Sequence, residues 1–423
     1  MDTSSLPDGH AGPVTQAERI VSIDVLRGVA VLGILVMNIQ SFSMIGTAYI
    51  NPTVYGDLTG VNYVVWLASH ALADRKFMTI FSMLFGAGIV LMTSRCEARG
   101  VRAAGIHYSR MGWLLLIGLS HAYLLWYGDI LNAYALCGLI VYLFRRLRPG
   151  TLILLGLVSI AFASGLSVLF HFSVPYWSAE ALESTAVWWT PSQEVIAEEI
   201  GTYRGGWVDQ MSHRAVTAVF FQTVIFLVEV GWRAGGLMLV GMGLFKLGVF
   251  SAKRSSTAYA TMVIVGFIVG LSLSLLGVRH NFAAQWRFEE CFYLGTQFNY
   301  WGSLFVASGW VGLVMLICKH GLVPAATRTL ACVGQMAFTN YLLQTVICTT
   351  IFYGHGLGLF GTVERVGQIL IVLAVWVVLL VLSPLWLRFF RFGPAEWLWR
   401  SVTYMKRQPM WRADLAMRAS SYR

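Results

Sequence analysis

Apolar residues fall along this chain in eleven long runs, each bounded by charges or turn residues. The runs lie at roughly 26–46, 77–94, 110–127, 130–145, 151–171, 215–231, 234–250, 257–277, 297–318, 330–353 and 366–387. A bilayer-spanning helix needs about 20 mostly apolar residues, and several runs reach or approach that length. Thr261 to Leu276 and Ile369 to Leu387 carry no charge at all. The pattern predicts an all-α, polytopic transmembrane helix bundle of about 10–11 helices. A mean hydropathy of +0.67 agrees. So does a charged fraction of only 12%.

The polar stretches predict an organisation. Residues 1–18 read as a disordered cytoplasmic lead, rich in Ser, Gly and Pro. Ile20 to Met44 is too long for a signal-peptide core and lacks a small-x-small cleavage site, so it reads as a retained first helix. A five-helix half is expected over 19–171, then an extracytoplasmic interfacial segment over 172–214. A second helical half follows over 215–400, and a basic cytoplasmic tail over 401–423. The interfacial reading rests on Glu180, Glu183, Glu194, Glu198, Glu199 and Asp209, with Trp177, Trp188, Trp189 and Trp207 among them.

Charge adds orientation. The net charge is +10, but the cations cluster beside apolar runs and no RNA- or DNA-binding motif accompanies them, so topology explains them without a nucleic acid partner. Arg95, Arg99, Arg102 and Arg110 crowd one loop; Arg145, Arg146 and Arg148 fill another. Lys246, Lys253 and Arg254, then Lys319 and Arg328, mark two more, and the tail after Leu387 is basic. The positive-inside rule puts all of these in the cytoplasm. Eleven crossings break that rule and ten satisfy it. Arg214 to Phe250 is the weak place: it holds Glu229 and Arg233, and is expected to cross once with one half re-entrant or interfacial.

Polar residues inside apolar runs are expensive, so they mark candidate chemistry. Asp24 and Arg27 are spaced to pair on one helix face. Asn38 lies 11 residues beyond Arg27, on nearly the same face and about 16 Å along it. Arg110 and His121 repeat that layout. His121 is either a satisfied buried histidine or a general base. Asp129, in the turn Tyr127-Gly128-Asp129-Ile130, either caps the next helix or meets His121. Asn340 and Gln344 share a face and either glue helices or bind a polar substrate. Lys76 reads first as a snorkelling anchor, and Glu229 with Arg233 as a structural i,i+4 pair. Glycines at 28, 33, 86, 88, 235, 236, 241 and 243 read as helix contacts, with room for a homodimer. The six cysteines form no C-x-x-C and no metal spacing. No P-loop, H-E-x-x-H or G-x-S-x-G is present, which removes support for ATP hydrolysis, zinc proteolysis and a serine elbow.

Several stretches resemble the YeiB family of bacterial membrane proteins. They are Ile23-Asp24-Val25-Leu26-Arg27-Gly28; Lys76-Phe77 leading to Leu84-Phe85-Gly86-Ala87-Gly88; and Gly118-Leu119-Ser120-His121 with Trp126 to Leu131. More specific are Gly334 to Ala337, Thr339 to Gln344, and Arg391-Phe392-Gly393-Pro394-Ala395-Glu396-Trp397-Leu398-Trp399-Arg400. In its first half that family is similar to the transmembrane acyltransferase superfamily, which includes the lysosomal enzyme that acetylates heparan glucosamine from cytosolic acetyl-CoA. The resemblance implies a bacterial inner-membrane protein with a buried histidine and a cytosolic CoA entrance. The lysosomal enzyme's histidine follows its first helix; here His70 is only its approximate counterpart.

Three functions are then in play. As an acyltransferase, the chain would bind acyl-CoA as co-substrate through Arg27, Arg110, Arg145 and Arg146, with Asp24 beside them. His121 would act as base or acyl relay, Asp129 would orient it, and Asn38, Asn340, Gln344 or Lys76 would hold the oxyanion or the acceptor. As a proton-coupled transporter or exporter of a small solute, it would use the same polar line as a path. As a structural factor, it would use that line only as helix glue.

Overall fold

The computed structural model describes residues 19–412; the proposed disordered lead and the last 11 residues of the basic tail lie outside them. The described residues are helical, with one isolated bridge between Phe390 and Trp411. In chain order the helices begin with α1 (Val21–Ser43), α2 (Gly60–Leu72), α3 (Lys76–Ala98), α4 (Ala103–Leu124) and α5 (Leu131–Val141). Next come α6 (Pro149–Ser173), α7 (Ala179–Trp189), α8 (Gln193–Arg204), α9 (Met211–Phe220) and α10 (Gly231–Lys246). The remainder are α11 (Ser256–Ala283), α12 (Phe288–Glu290), α13 (Thr296–Lys319), α14 (Pro324–Gln335), α15 (Ala337–Phe352), α16 (Arg365–Phe389) and α17 (Pro394–Thr403).

Among the described residues, seven helical rods are long and apolar enough to cross a membrane. Two shorter apolar helices, Leu131–Phe144 and Ala337–Phe352, stand with them. Helix α4 packs between α3 and α5 as a tenth rod. This is an all-α, polytopic bundle, as the hydrophobic pattern predicts.

Two faces are distinct in charge. Lys246 Nζ donates to Arg145 O and Leu147 O at 2.6 and 2.7 Å, Ser22 Oγ donates to Phe250 O at 2.8 Å, and Arg146 pairs with Glu97. These contacts gather the basic loops and the outset of α1 on one side, called the basic face below. At the other face Thr47 Oγ1 donates to Trp188 O and Trp189 Nε1 to Trp286 O. Helices α7 and α8 lie there, each started by a serine side chain that accepts from a first-turn amide, Ser178 from Ala181 N and Ser192 from Val195 N.

The stretch from 211 to 246 corrects an expectation. It is one continuous helix of 36 residues, with a π-helical run Phe221–Val230 in its middle, one rod where hydropathy alone marks two runs. The two charges that argued for a break are satisfied from outside their own helix. Glu229 pairs with Arg75, not with Arg233. Arg233 donates to Tyr300 O at 3.2 Å and to the hydroxyls of Thr79 and Ser303 at 3.3 and 2.7 Å. Hydropathy also missed α2, and it ran α14 and α15 together across the break at Met336.

Helix α1 is the central post, packed on α3, α13, α14, α15 and α16. Close approach depends on glycine at its base. A Cβ on Gly334 would sit 1.8 Å from Asp24 O, and one on Gly28 would sit 2.1 Å from Leu330 O. Helices α3 and α10 meet the same way through Gly86 and Gly241. These four glycines are therefore used in contacts within the chain.

Candidate functional site

A cavity of about 280 Å³ reaches the basic face between α1, α3, α4, α5, α14, α15 and α17. Among the described residues its mouth carries six arginines (Arg19, Arg27, Arg95, Arg99, Arg110 and Arg400) and two carboxylates, Asp24 and Glu396. Asp24 pairs with Arg27 at 3.2 Å and with Arg19 at 3.7 Å. The i,i+3 pair read from the sequence thus forms, and it shares its carboxylate with a third residue. Burial lowers the Arg400 guanidinium from its ordinary range, and nearby Arg19 and Arg27 lower it further. Burial likewise lowers Arg19, against the pull of Asp24. Crowded, partly desolvated guanidiniums favour an incoming polyanion, and their planar forks suit phosphate.

Helix α17 closes one side of this mouth. Its position follows from Glu396, whose carboxylate accepts from Phe338 N at 2.7 Å, Thr339 N at 3.1 Å and Thr339 Oγ1 at 2.5 Å. Those amides belong to the first turn of α15, where backbone N–H groups lack helical partners. The Thr339 hydroxyl accepts in return from Ala395 N at 3.0 Å. One turn on, Trp399 lies under Arg110, 4.2 Å from guanidinium to ring centroid, and donates to Arg110 O at 3.0 Å. The Gly-Pro-Ala-Glu-Trp-Leu-Trp-Arg stretch therefore ties a surface helix to the bundle and delivers Arg400 to the mouth.

Above the arginines the walls turn apolar, with Leu84, Phe85, Ile89, Met111 and Leu114. The blind end carries two hydroxyls. Tyr134 Oη is 2.7 Å from Ser82 Oγ, and Tyr341 Oη donates toward Asp129 Oδ1 at 3.5 Å. Behind Tyr341, Asp129 Oδ1 lies 2.9 Å from His121 Nδ1, while Asp129 Oδ2 accepts from Asn132 N at 3.0 Å. Asp129 thus caps α5 and holds His121 at once. His121 Nε2 is 3.0 Å from Thr345 Oγ1, so both ring nitrogens are engaged and the ring is buried outside the cavity wall.

The other expected residues divide. Arg27, Asp24 and Arg110 stand at the mouth. Arg145 and Arg146 do not: Arg145 lies 3.9 Å over the Tyr142 ring, and both face Glu97. Asn38 is half-buried on α1 and takes no part in the cavity wall. Asn340 Nδ2 donates to Val333 O and Ser383 Oγ, both at 3.0 Å, and Gln344 Nε2 donates to Val31 O at 3.0 Å. Those amides join helices. Spacing along the chain missed Tyr341, Tyr134, Glu396 and Trp399, whose roles depend on contacts between distant segments.

Lys76 corrects its reading as a snorkelling anchor. It is fully buried near the opposite face, where Nζ donates to His70 O at 2.7 Å and to Asn299 Oδ1. Asn299 Nδ2 donates to Asp74 Oδ2 at 2.7 Å, and Tyr49 Oη donates to Asp74 Oδ1 at 3.0 Å. His70 Nδ1 lies 3.3 Å from the same carboxylate, and its ring stacks on Trp66. A second polar centre therefore lies at the other end of α3, with a carboxylate that orients a histidine.

These features define a class: a polytopic helical membrane protein with an arginine-lined cavity on one face and a buried His–Asp pair behind its blind end. Comparison with known proteins narrows it. Residues 244–406 match a family model described as protein of unknown function (DUF418). The chain is 35% identical over 391 residues to the uncharacterized protein YeiB of Escherichia coli (strain K12), spanning 91% of this chain and 96% of that protein. It is 32% identical over 420 residues to the uncharacterized protein YxaH of Bacillus subtilis (strain 168), spanning 94% and 97%. The chain belongs to the YeiB family.

Proposed function

We propose that this protein is an integral membrane acyltransferase. It takes an acyl group, an acetyl group in the first instance, from cytosolic acyl-CoA and passes it to a hydroxyl or amine of a sugar, lipid or envelope metabolite. The observation that carries this reading is the cavity, with arginines at its mouth, an apolar shaft and tyrosine hydroxyls at its end. The phosphates sit among Arg27, Arg110 and Arg400, and the acyl-bearing arm climbs the shaft. At the top, the acceptor oxygen or nitrogen attacks the thioester carbonyl. The C–S bond breaks, and the thiolate leaves to become free CoA on taking up the proton the acceptor gives up. Tyr134 donates to the developing oxyanion, and Tyr341 joins it by turning its one O–H from Asp129 to the substrate. His121 and Asp129 orient Tyr341 and hold the proton in transit.

In this reading the basic face is cytoplasmic, the membrane is the bacterial inner membrane, and ten passes leave both termini in the cytoplasm. The acceptor approaches from the opposite face, where His70 and Asp74 stand.

The test is thermal unfolding of the purified protein against acetyl-CoA and longer acyl-CoAs, with free CoA followed in the same samples. Stabilisation with slow release, lost in Tyr341→Phe and in His121→Ala, supports acyl transfer. Release lost in His70→Ala and kept in His121→Ala moves the proton acceptor to the opposite-face centre. If no acyl-CoA stabilises the protein, the reading fails. A buried His–Asp pair also suits a proton relay, so pH-dependent flux in proteoliposomes without thioester loss would favour transport instead.

A further inference from the structure

One corner of the cavity wall has no part in that chemistry. There the beginning of α4 and the end of α5 bring His107 and Tyr142 together, ring centroids 4.3 Å apart and planes within 14°. His107 belongs to the wall and is fully buried. Its Nε2 lies 2.9 Å from Gly138 O. A carbonyl only accepts, so Nε2 carries the proton and the neutral ring presents Nδ1 as an acceptor. Among the described residues Nδ1 is buried and meets no donor, and the Tyr142 hydroxyl is likewise without a partner. A buried acceptor without a donor costs the fold free energy that a bound ligand can return.

Position says what that ligand offers. His107 and Arg110 share a face of α4. Chain direction puts His107 one turn nearer the basic face, about 4.5 Å along the axis. A ligand with phosphates at Arg110 and an arm running up the shaft turns its other end toward His107. In acyl-CoA that end is the nucleoside.

We propose that His107 recognises the nucleoside of the donor, Nδ1 accepting a hydrogen bond from an amine of the base or a hydroxyl of the ribose. The proposal rests on the acyl-CoA reading. Arg145, stacked on the far partner Tyr142, then acts on the ligand only by fixing the ring that fixes His107.

The experiment titrates the full chain in lipid nanodiscs with adenosine 3′,5′-bisphosphate and with inorganic pyrophosphate. The wild type should bind the nucleotide more tightly than pyrophosphate. His107→Phe should weaken the nucleotide about tenfold, the worth of one hydrogen bond, and leave pyrophosphate unchanged. His107→Asn, which keeps an amide group near the Nδ1 position, should recover part of the loss. A folded His107→Phe that binds both probes as the wild type does, or loses both equally, would overturn the proposal. Wild-type binding with no gain from the nucleoside overturns it without any variant and leaves the phosphate mouth standing. Wild type that binds neither probe overturns the acyl-CoA reading itself.

Discussion

Replacing Asp74 by Asn removes one carboxylate from a cluster that holds three cations. Asp74 takes hydrogen bonds from Tyr49 Oη at 3.0 Å and Asn299 Nδ2 at 2.7 Å, with His70 Nδ1 at 3.3 Å. Lys76 is fully buried beside it, and Arg75 and Arg233 complete the cluster with Glu229 as the second anion. Without Asp74, Lys76 keeps His70 O and Asn299 Oδ1 as acceptors, and Glu229, already paired with Arg75, is the carboxylate left in the cluster. Removing one charge from a buried, mutually compensating set costs about 3–5 kcal/mol, because the survivors stay desolvated. Lys76→Met alone costs less. It leaves Asp74 near Arg75 and strands one acceptor, His70 O, while Asn299 Oδ1 keeps its bond from Ser274 Oγ, a loss of about 1–3 kcal/mol.

The double variant Asp74→Asn with Lys76→Met removes both charges together, so its cost should fall below the sum of the singles by about 2 kcal/mol or more. Unfolding temperature in mild detergent, followed by tryptophan fluorescence, reads this directly. At about 2–4 °C per kcal/mol, Asp74→Asn should lose on the order of 10 °C and the second substitution should return part of it. If the two losses simply add, Asp74 and Lys76 do not compensate each other, and this account of the centre is wrong.

Other outcomes follow from the cavity. Tyr341→Phe should leave unfolding temperature within a few degrees and slow CoA release by about 100-fold, the usual worth of an oxyanion donor; unchanged release in single-turnover thiol assays removes Tyr341 from the chemistry. Arg110→Ala should weaken acyl-CoA binding, and the remaining affinity should fall less steeply with salt, because fewer phosphate contacts are left to screen; an unaltered salt dependence contradicts a phosphate role. Burial raises the Glu396 carboxyl above its ordinary value despite bonds from Thr339 and Phe338 that lower it. Between the ordinary and the raised value, the folded state holds a proton that the unfolded state has lost, so stability falls as pH rises through that window. Glu396→Gln should flatten that part of a stability–pH profile, and an identical slope in the variant refutes the assignment. Gly334→Ala should separate α1 from α14 and lower the unfolding temperature more than Gly88→Ala, where an added Cβ meets nothing within 4 Å.

What the sequence disclosed depended on how far apart the partners lie. Asp24 and Arg27 are close along the chain, so helix geometry was enough to pair them; for Asp129 one tight turn offered a helix cap or a meeting with His121, and the residue does both. Lys76 was misread because its acceptor Asn299 comes 223 residues later; nothing near position 76 shows that a side chain from α13 will meet it. Glu229 and Arg233 looked like a local pair for the same reason, while each finds its partners on other helices. Arg145 and Arg146 looked like phosphate ligands because loops beside a membrane are basic for topological reasons as well, and only the packing of Tyr142 and Glu97 shows how they are occupied. The stretch ending in Arg400 was legible as a motif. Its purpose was not, since a carboxylate that binds Thr339, 57 residues earlier, leaves no local signature.

That last contact bears on where any activity can reside. The cavity walls come from α1, α3, α4 and α5, all within the first 141 residues, and three elements from the last quarter of the chain complete them, α14 with Gln335, α15 with Tyr341 and α17 with Arg400. Residues 244–406, the part matched by the family model, therefore do not enclose the site alone, and neither do the first five helices. The base of α1 meets α14 at Gly28 and Gly334, too close for any side chain between them. A displacement of α14 thus carries Asp24 on one side, and the start of α15 on the other, out of register together. Glu396 grips that start, so α17 moves with it and the mouth changes shape. Arginine pattern, blind-end hydroxyls and the glycine contact are then parts of one mechanical unit. A substitution at Gly334 should weaken phosphate binding at Arg400 although it touches no cavity arginine, and titration of Gly334→Ala with pyrophosphate should show a loss that restoring salt-free buffer does not recover. If Gly334→Ala binds pyrophosphate as the wild type does, the two halves are joined only for stability, and the mouth is formed without them moving as one.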